Sequence, residues 1–75
     1  MPDELLFEIE VKLGGDARDL YKDMRQLLKE ESEPLSRKSV EKKVEIRNDE
    51  ISYLLDELVE EGYIEKKEDG YILNP

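Results

Sequence analysis

The chain has 75 residues, of which 44% are charged, and a formal net charge of −9; it has no cysteine, histidine or tryptophan. That length fits one domain, 1–75, with a modest core. The missing residue types exclude disulfides, thiol chemistry and Cys/His metal centres.

Unbroken apolar runs reach only two or three residues, so no membrane span is expected. The start, MPDELLF, has no basic stretch and no long apolar segment, unlike a signal peptide. A cytoplasmic location is the default expectation. The Glu/Lys-rich composition fits an ion-paired, thermophile-like surface and equally a designed or generic soluble helical protein.

Taken in chain order, LFEIEVKL alternates, with Phe7, Ile9, Val11 and Leu13 on one side and Glu8, Glu10 and Lys12 on the other. Period two predicts a half-buried strand, ended by Gly14-Gly15, so that 1–15 is strand and turn. An unpaired strand of this kind needs a cover, either the domain's own hairpin or its copy in a homodimer.

Asp16 is the expected N-cap of a helix over 16–32. Ala17, Leu20, Tyr21, Met24, Leu27 and Leu28 form its apolar stripe. Pro34 breaks the pattern, and PLS reads as short and extended. Ser36 caps a second helix, 36–44, with Val40 and Val44 inward. A third helix over 48–61 carries Ile51, Leu54, Leu55, Leu58 and Val59, and Gly62 ends it. YIEKKEDGYIL, within 63–74, reads as a hairpin turning at Asp69-Gly70.

The run SVEKKVEIRNDEISYLLDELVEEGYI resembles the winged helix-turn-helix superfamily. Val40, Val44, Ile46, Ile51, Leu54, Leu55, Leu58, Gly62, Tyr63 and Ile64 sit at the matching places. Two positions depart from it: Glu45 stands where the turn commonly has Gly, and Arg47 where it has Ser. The resemblance implies an α+β fold of three helices plus a C-terminal hairpin wing. The N-terminal strand is extra to it. It also implies a third helix that enters the DNA major groove.

The chemistry of that helix argues otherwise. At about 100° per residue, the side opposite Ile51 collects Asp49, Tyr53, Asp56 and Glu60, with Glu57 at the edge. Carboxylates there would meet phosphates, and only Arg47 and Asn48 at the helix start suit base reading. Five of the basic residues, Arg37, Lys38, Lys42, Lys43 and Arg47, form an island over 36–47 between two acidic blocks. In the hairpin, Lys66 and Lys67 are offset by Glu65, Glu68 and Asp69.

The plain structural reading of the acidic face is a solvated helix surface. The basic island equally serves as its internal counterweight through exposed pairs worth ~0.2–1 kcal/mol each. Tyr53 is the sharper feature: an aromatic amid acids suits a partner interface, and the alternative is a ring folded onto Leu54 or the second helix.

No catalytic base, nucleophile pair or phosphate loop stands out, so no enzyme activity, cofactor or metal is expected. The resulting expectation is a non-enzymatic interaction module in a nucleic-acid-handling or regulatory assembly. Its acidic third-helix face, Asp49, Tyr53, Asp56, Glu57 and Glu60, meets a basic protein surface. The alternative is a DNA-binding transcriptional regulator. It would use Arg37, Lys38, Lys42, Lys43, Arg47, Asn48, Lys66 and Lys67.

Overall fold

The alternating N-terminal segment is a helix. In a computed structural model, which describes residues 3–74, the order is α1 (Glu4–Leu13), α2 (Gly15–Glu30), α3 (Arg37–Lys43), α4 (Asn48–Glu60), β1 (Ile64–Lys67) and β2 (Gly70–Leu73). The outermost residues of the expected 1–75 domain, 1, 2 and 75, lie outside the described residues. The fold is α+β, with four helices and a two-stranded antiparallel hairpin where three helices and an extra strand were expected.

The strand expectation fails because the same residues carry a second period. Leu5, Leu6, Ile9 and Leu13 recur at helical spacing, and all four pack into or against the core. Asp3 caps the helix, accepting from the amides of Leu5 (3.1 Å) and Leu6 (3.2 Å). Glu4 in the first turn and Lys12 in the last both suit the helix dipole. Ile9 is fully buried, whereas Phe7 is 64% and Val11 69% exposed. The strand seam expected for a homodimer loses its premise, since residues 4–13 are helical.

The helix expected over 16–32 runs Gly15–Glu30, and its N-cap is Gly14 rather than Asp16, with no side-chain cap. Asp16 instead lies in the first turn, where its charge favours the dipole. Ala17, Leu20, Tyr21, Met24 and Leu27 are its buried stripe. α1 packs along α2, and two ion pairs tie the helices together, Arg25 with Asp3 and Arg18 with Glu10. The Arg25 guanidinium also lies 5.0 Å from the centre of the Tyr21 ring.

Ser36 caps α3, accepting from the Ser39 amide at 3.1 Å. Val40 and Val44 turn inward one turn apart. α4 starts at Asn48 after an extended Arg47 that supplies no side-chain cap. It buries Ile51, Leu54, Leu55 and Leu58. Its end is a Schellman motif: the Gly62 amide donates to the Val59 carbonyl and the Tyr63 amide to the Leu58 carbonyl, both at 3.0 Å. Gly62 has φ 83°, the left-handed conformation this ending needs.

The hairpin pairs Ile64 with Leu73 and Lys67 with Gly70, so the two-residue loop is Glu68-Asp69, one position earlier than the expected Asp69-Gly70. The outer edge of β2 is covered by the segment between α2 and α3. Leu35 and Tyr71 form an antiparallel bridge through Leu35 N–H to Tyr71 O (2.8 Å) and Tyr71 N–H to Leu35 O (2.9 Å). That single-residue bridge, not an N-terminal strand, flanks the two-stranded sheet. Leu35, Tyr63, Ile64 and Tyr71 thereby join the residues of all four helices in one hydrophobic cluster. The Tyr21 and Tyr63 rings meet edge to face at 6.5 Å.

Candidate functional site

The α4 stripe that buries Ile51, Leu54, Leu55 and Leu58 dictates which residues face away. Asp49, Tyr53, Asp56 and Glu60 are exposed and Glu57 is half-buried. These residues share one face, as helical spacing requires. Tyr53 is 58% exposed. Glu57, one turn on, and Glu60 beyond it hold the Tyr53 hydroxyl proton more tightly than in free tyrosine. The cause is the negative field, led by the charge of Glu57. Among the described residues, Asp56, Glu57 and Glu60 have no lysine or arginine within salt-bridge distance; Asp49 has the Arg47 guanidinium at 3.5 Å. The face is a hydroxyl-bearing aromatic ring set among carboxylates, of which Asp49 alone has a cationic partner among the described residues.

Two residues outside the expected set extend this face. Glu50 and Asp16 line a shallow depression of about 270 Å³ beside Tyr53 and Leu54. Asp16 also borders a wider depression of about 540 Å³ between α2 and the α3–α4 turn, with Asp19, Asp23, Lys43, Glu45 and Ile46. Burial raises the Asp23 carboxyl above its ordinary range, and Lys43 partly opposes that shift. The α2 acids repeat at 16, 19 and 23, a helical spacing that marks one acidic face. The helical wheel of α4 alone does not reveal that this face borders Tyr53.

The basic residues divide differently. Arg37 is internal wiring: it donates to the Ser52 hydroxyl and to the Asn48 carbonyl (3.3 Å), and its Nε lies 2.8 Å from Glu41. The bonds to Ser52 and Asn48 fasten α3 to the start of α4, and the Glu41 pair lies within α3. Arg47 is exposed beside Asp49. Asn48 is the exposed first residue of α4, and its carbonyl is one of Arg37's acceptors. Lys38 and Lys42 are exposed on α3, while Lys43 is half-buried and lines the same depression as Asp23. Lys67 pairs with Glu65 at 3.2 Å, and Lys66 is exposed on the hairpin. Arg37, Lys66 and Lys67 line a common depression, but Glu68 and Asp69 share its rim. The basic set is therefore spread over three elements and interleaved with acids.

Among the described residues, no group of three or more acidic, histidine or cysteine side chains is placed to hold a metal ion. No helix among them is long and apolar enough to cross a membrane. Neither protein-family models, nor curated proteins, nor solved structures include a match to this chain.

Proposed function

We propose that the chain is a non-enzymatic winged-helix interaction module whose α4 face binds a basic surface of a protein partner, within a nucleic-acid-handling or regulatory assembly. The winged-helix reading draws support from the order after α1: helix, bridge residue, short helix, turn, helix, hairpin. A fold of this kind does not fix a function, so the site has to carry it.

The observation that carries the reading is Tyr53, more than half exposed beside Glu57 and Glu60, neither of which has an ion pair among the described residues. An aromatic anchor excludes water at the centre of a contact, and the surrounding carboxylates steer a basic partner and set its orientation. Arginine suits this site, since its guanidinium stacks on an aromatic ring while pairing with carboxylates.

DNA reading by α4 is disfavoured by the same geometry. Phosphates would approach Asp56, Glu57 and Glu60, and Arg37 is already engaged within the fold. The test is an amide-shift titration of ¹⁵N-labelled protein at low salt with two probes, hexa-arginine and a random DNA duplex. Hexa-arginine should shift residues 49–60, and Tyr53→Ala should remove most of that response. Duplex-induced shifts confined to 36–47 and the hairpin, with none on α4 from hexa-arginine, would replace this reading with a nucleic-acid one.

A further inference from the structure

The second unpartnered surface is on α1, and it is independent of the α4 face. α1 is apolar on two opposite sides. Leu5, Leu6, Ile9 and Leu13 face the core. Phe7 and Val11, one turn apart, point away from it and are 64% and 69% exposed. A helix apolar on both sides is ordinarily covered on both. Of the three exposed large hydrophobics among the described residues, two form this single strip; the third is Tyr53. A helical wheel places Glu4 and Glu8 along one edge of the strip and Glu10 along the other. All three are exposed. Glu8 accepts from the Tyr63 hydroxyl at 2.7 Å, which fixes the carboxylate without neutralising it. Arg18 is shared between Glu10 and Asp19, so that edge also keeps a negative balance.

This charge pattern selects the occupant. A second copy laid antiparallel on the strip would set Phe7 against Val11, but it would also set the Glu4–Glu8 edge against the same edge of the copy and Glu10 against Glu10, doubling the surrounding negative charge. Like charges at close range oppose that pairing. A cationic helix meets both demands at once. We infer that the outer face of α1 docks a basic amphipathic helix of a partner protein, with apolar side chains over Phe7 and Val11 and lysines or arginines toward Glu4, Glu8 and Glu10. This is helix-against-helix recognition through anchors spaced one turn apart.

The test uses the full chain and two synthetic 18-residue helical peptides. One has leucine at heptad a and d positions flanked by lysine; the other has glutamate in place of every lysine. Amide shifts from the lysine peptide should centre on residues 4–13, and the glutamate peptide should produce none. Phe7→Gln with Val11→Gln should weaken the lysine peptide by about tenfold or more, with an unchanged circular dichroism spectrum, since both residues are exposed. Glu4→Lys should weaken it as well and give the glutamate peptide measurable affinity.

Shifts centred on α4, undiminished affinity in the double variant, or silence with both peptides would each overturn the inference. So would a dimer by sedimentation that the double variant converts to monomer, because the occupant would then be a second copy. Failure of the α4 reading leaves the α1 result untouched, since the two surfaces are read by shifts on different helices.

Discussion

Gly70 should be the least replaceable glycine in the chain, and Gly70→Ala tests the bridge that completes the sheet. A Cβ at this position would lie 2.1 Å from the Leu35 carbonyl oxygen and 2.7 Å from its carbon. Nothing flexible is there to yield, because the obstacle is backbone whose side chain is fully buried. Relieving the overlap separates Leu35 from Tyr71 and breaks both bridge hydrogen bonds. Each is worth about 0.5–1.5 kcal/mol net. The backbone at φ 151° adds strain for any L side chain, of order 1–2 kcal/mol. The expected loss is about 2–5 kcal/mol, a large share of the ~4–11 kcal/mol that a chain of this size holds. Gly62→Ala is the internal control. It also has positive φ (83°), but a Cβ there meets nothing within 4 Å. Strain alone, roughly 1–2 kcal/mol, should remain. Urea unfolding followed by circular dichroism gives both losses, and amide hydrogen exchange at Leu35 and Tyr71 reports the bridge directly. Equal losses for the two variants, with Leu35 and Tyr71 still protected in Gly70→Ala, would refute the reasoning.

Four further outcomes are expected. Ile9→Ala should cost about 2–4 kcal/mol while Val11→Ala costs within about 0.5 kcal/mol; urea unfolding showing similar losses would restore the strand reading, in which the two share a face. Burial, with help from the negative Glu8, pushes the Tyr63 hydroxyl from its ordinary 10 up to about 12. The unfolded chain therefore loses this proton first, so stability is intact below pH 10 and falls as pH rises from 10 to 12. Unfolding curves of Tyr63→Phe should lack that slope; a slope that survives the substitution assigns it elsewhere. Ser36→Ala should cost about 1 kcal/mol by loss of the α3 cap, and Ser36→Gly only a few tenths, measured by the same unfolding assay. Arg25→Ala should let the Asp3 carboxyl, now held below its ordinary 3.8 chiefly by the Arg25 hydrogen bond, rise toward that value in a carboxylate NMR titration.

What the sequence makes legible divides along one physical line. Segments whose apolar residues fit one period alone, such as Leu20, Met24 and Leu27 or Ile51, Leu55 and Leu58, identify their helices and their buried faces together. Residues 5–13 fit two periods. Phe7, Ile9, Val11 and Leu13 satisfy period two, while Leu5, Leu6, Ile9 and Leu13 satisfy the helical one. The cap at Asp3 and the charges of Glu4 and Lys12 break the tie, and they lie at the ends of the segment rather than in the alternation. The Leu35–Tyr71 bridge is illegible for a different reason: a single paired residue has no period. The α4 face can be read from its helical wheel, but its continuation through Asp16 depends on how α2 lies beside α4.

The same packing explains why a chain with 12 basic residues presents so little usable cationic surface. Arg18, Arg25 and Arg37 each sit where two helices meet, and each is bonded across that junction. A guanidinium suits such places because its planar fork can satisfy several acceptors while its stem lies on apolar surface. Three of the four arginines are thus engaged in holding α1 to α2 and α3 to α4, while Glu4 on α1 and Asp56, Glu57 and Glu60 on α4 have no ion pair among the described residues. Of the basic island over 36–47, Lys38 and Lys42 are the exposed members with no ion pair among the described residues. With Lys66 of the hairpin, also exposed and without an ion pair among the described residues, they supply a phosphate-binding salt dependence of about three counterions, below the roughly six or more contacts of strongly salt-dependent DNA binding. If salt titration with duplex DNA instead showed a slope of six or more, the arginine pairs described here would have to open on binding. Mutating Arg37 would then lower that slope, whereas in the closed fold Arg37→Ala costs stability and leaves the slope unchanged.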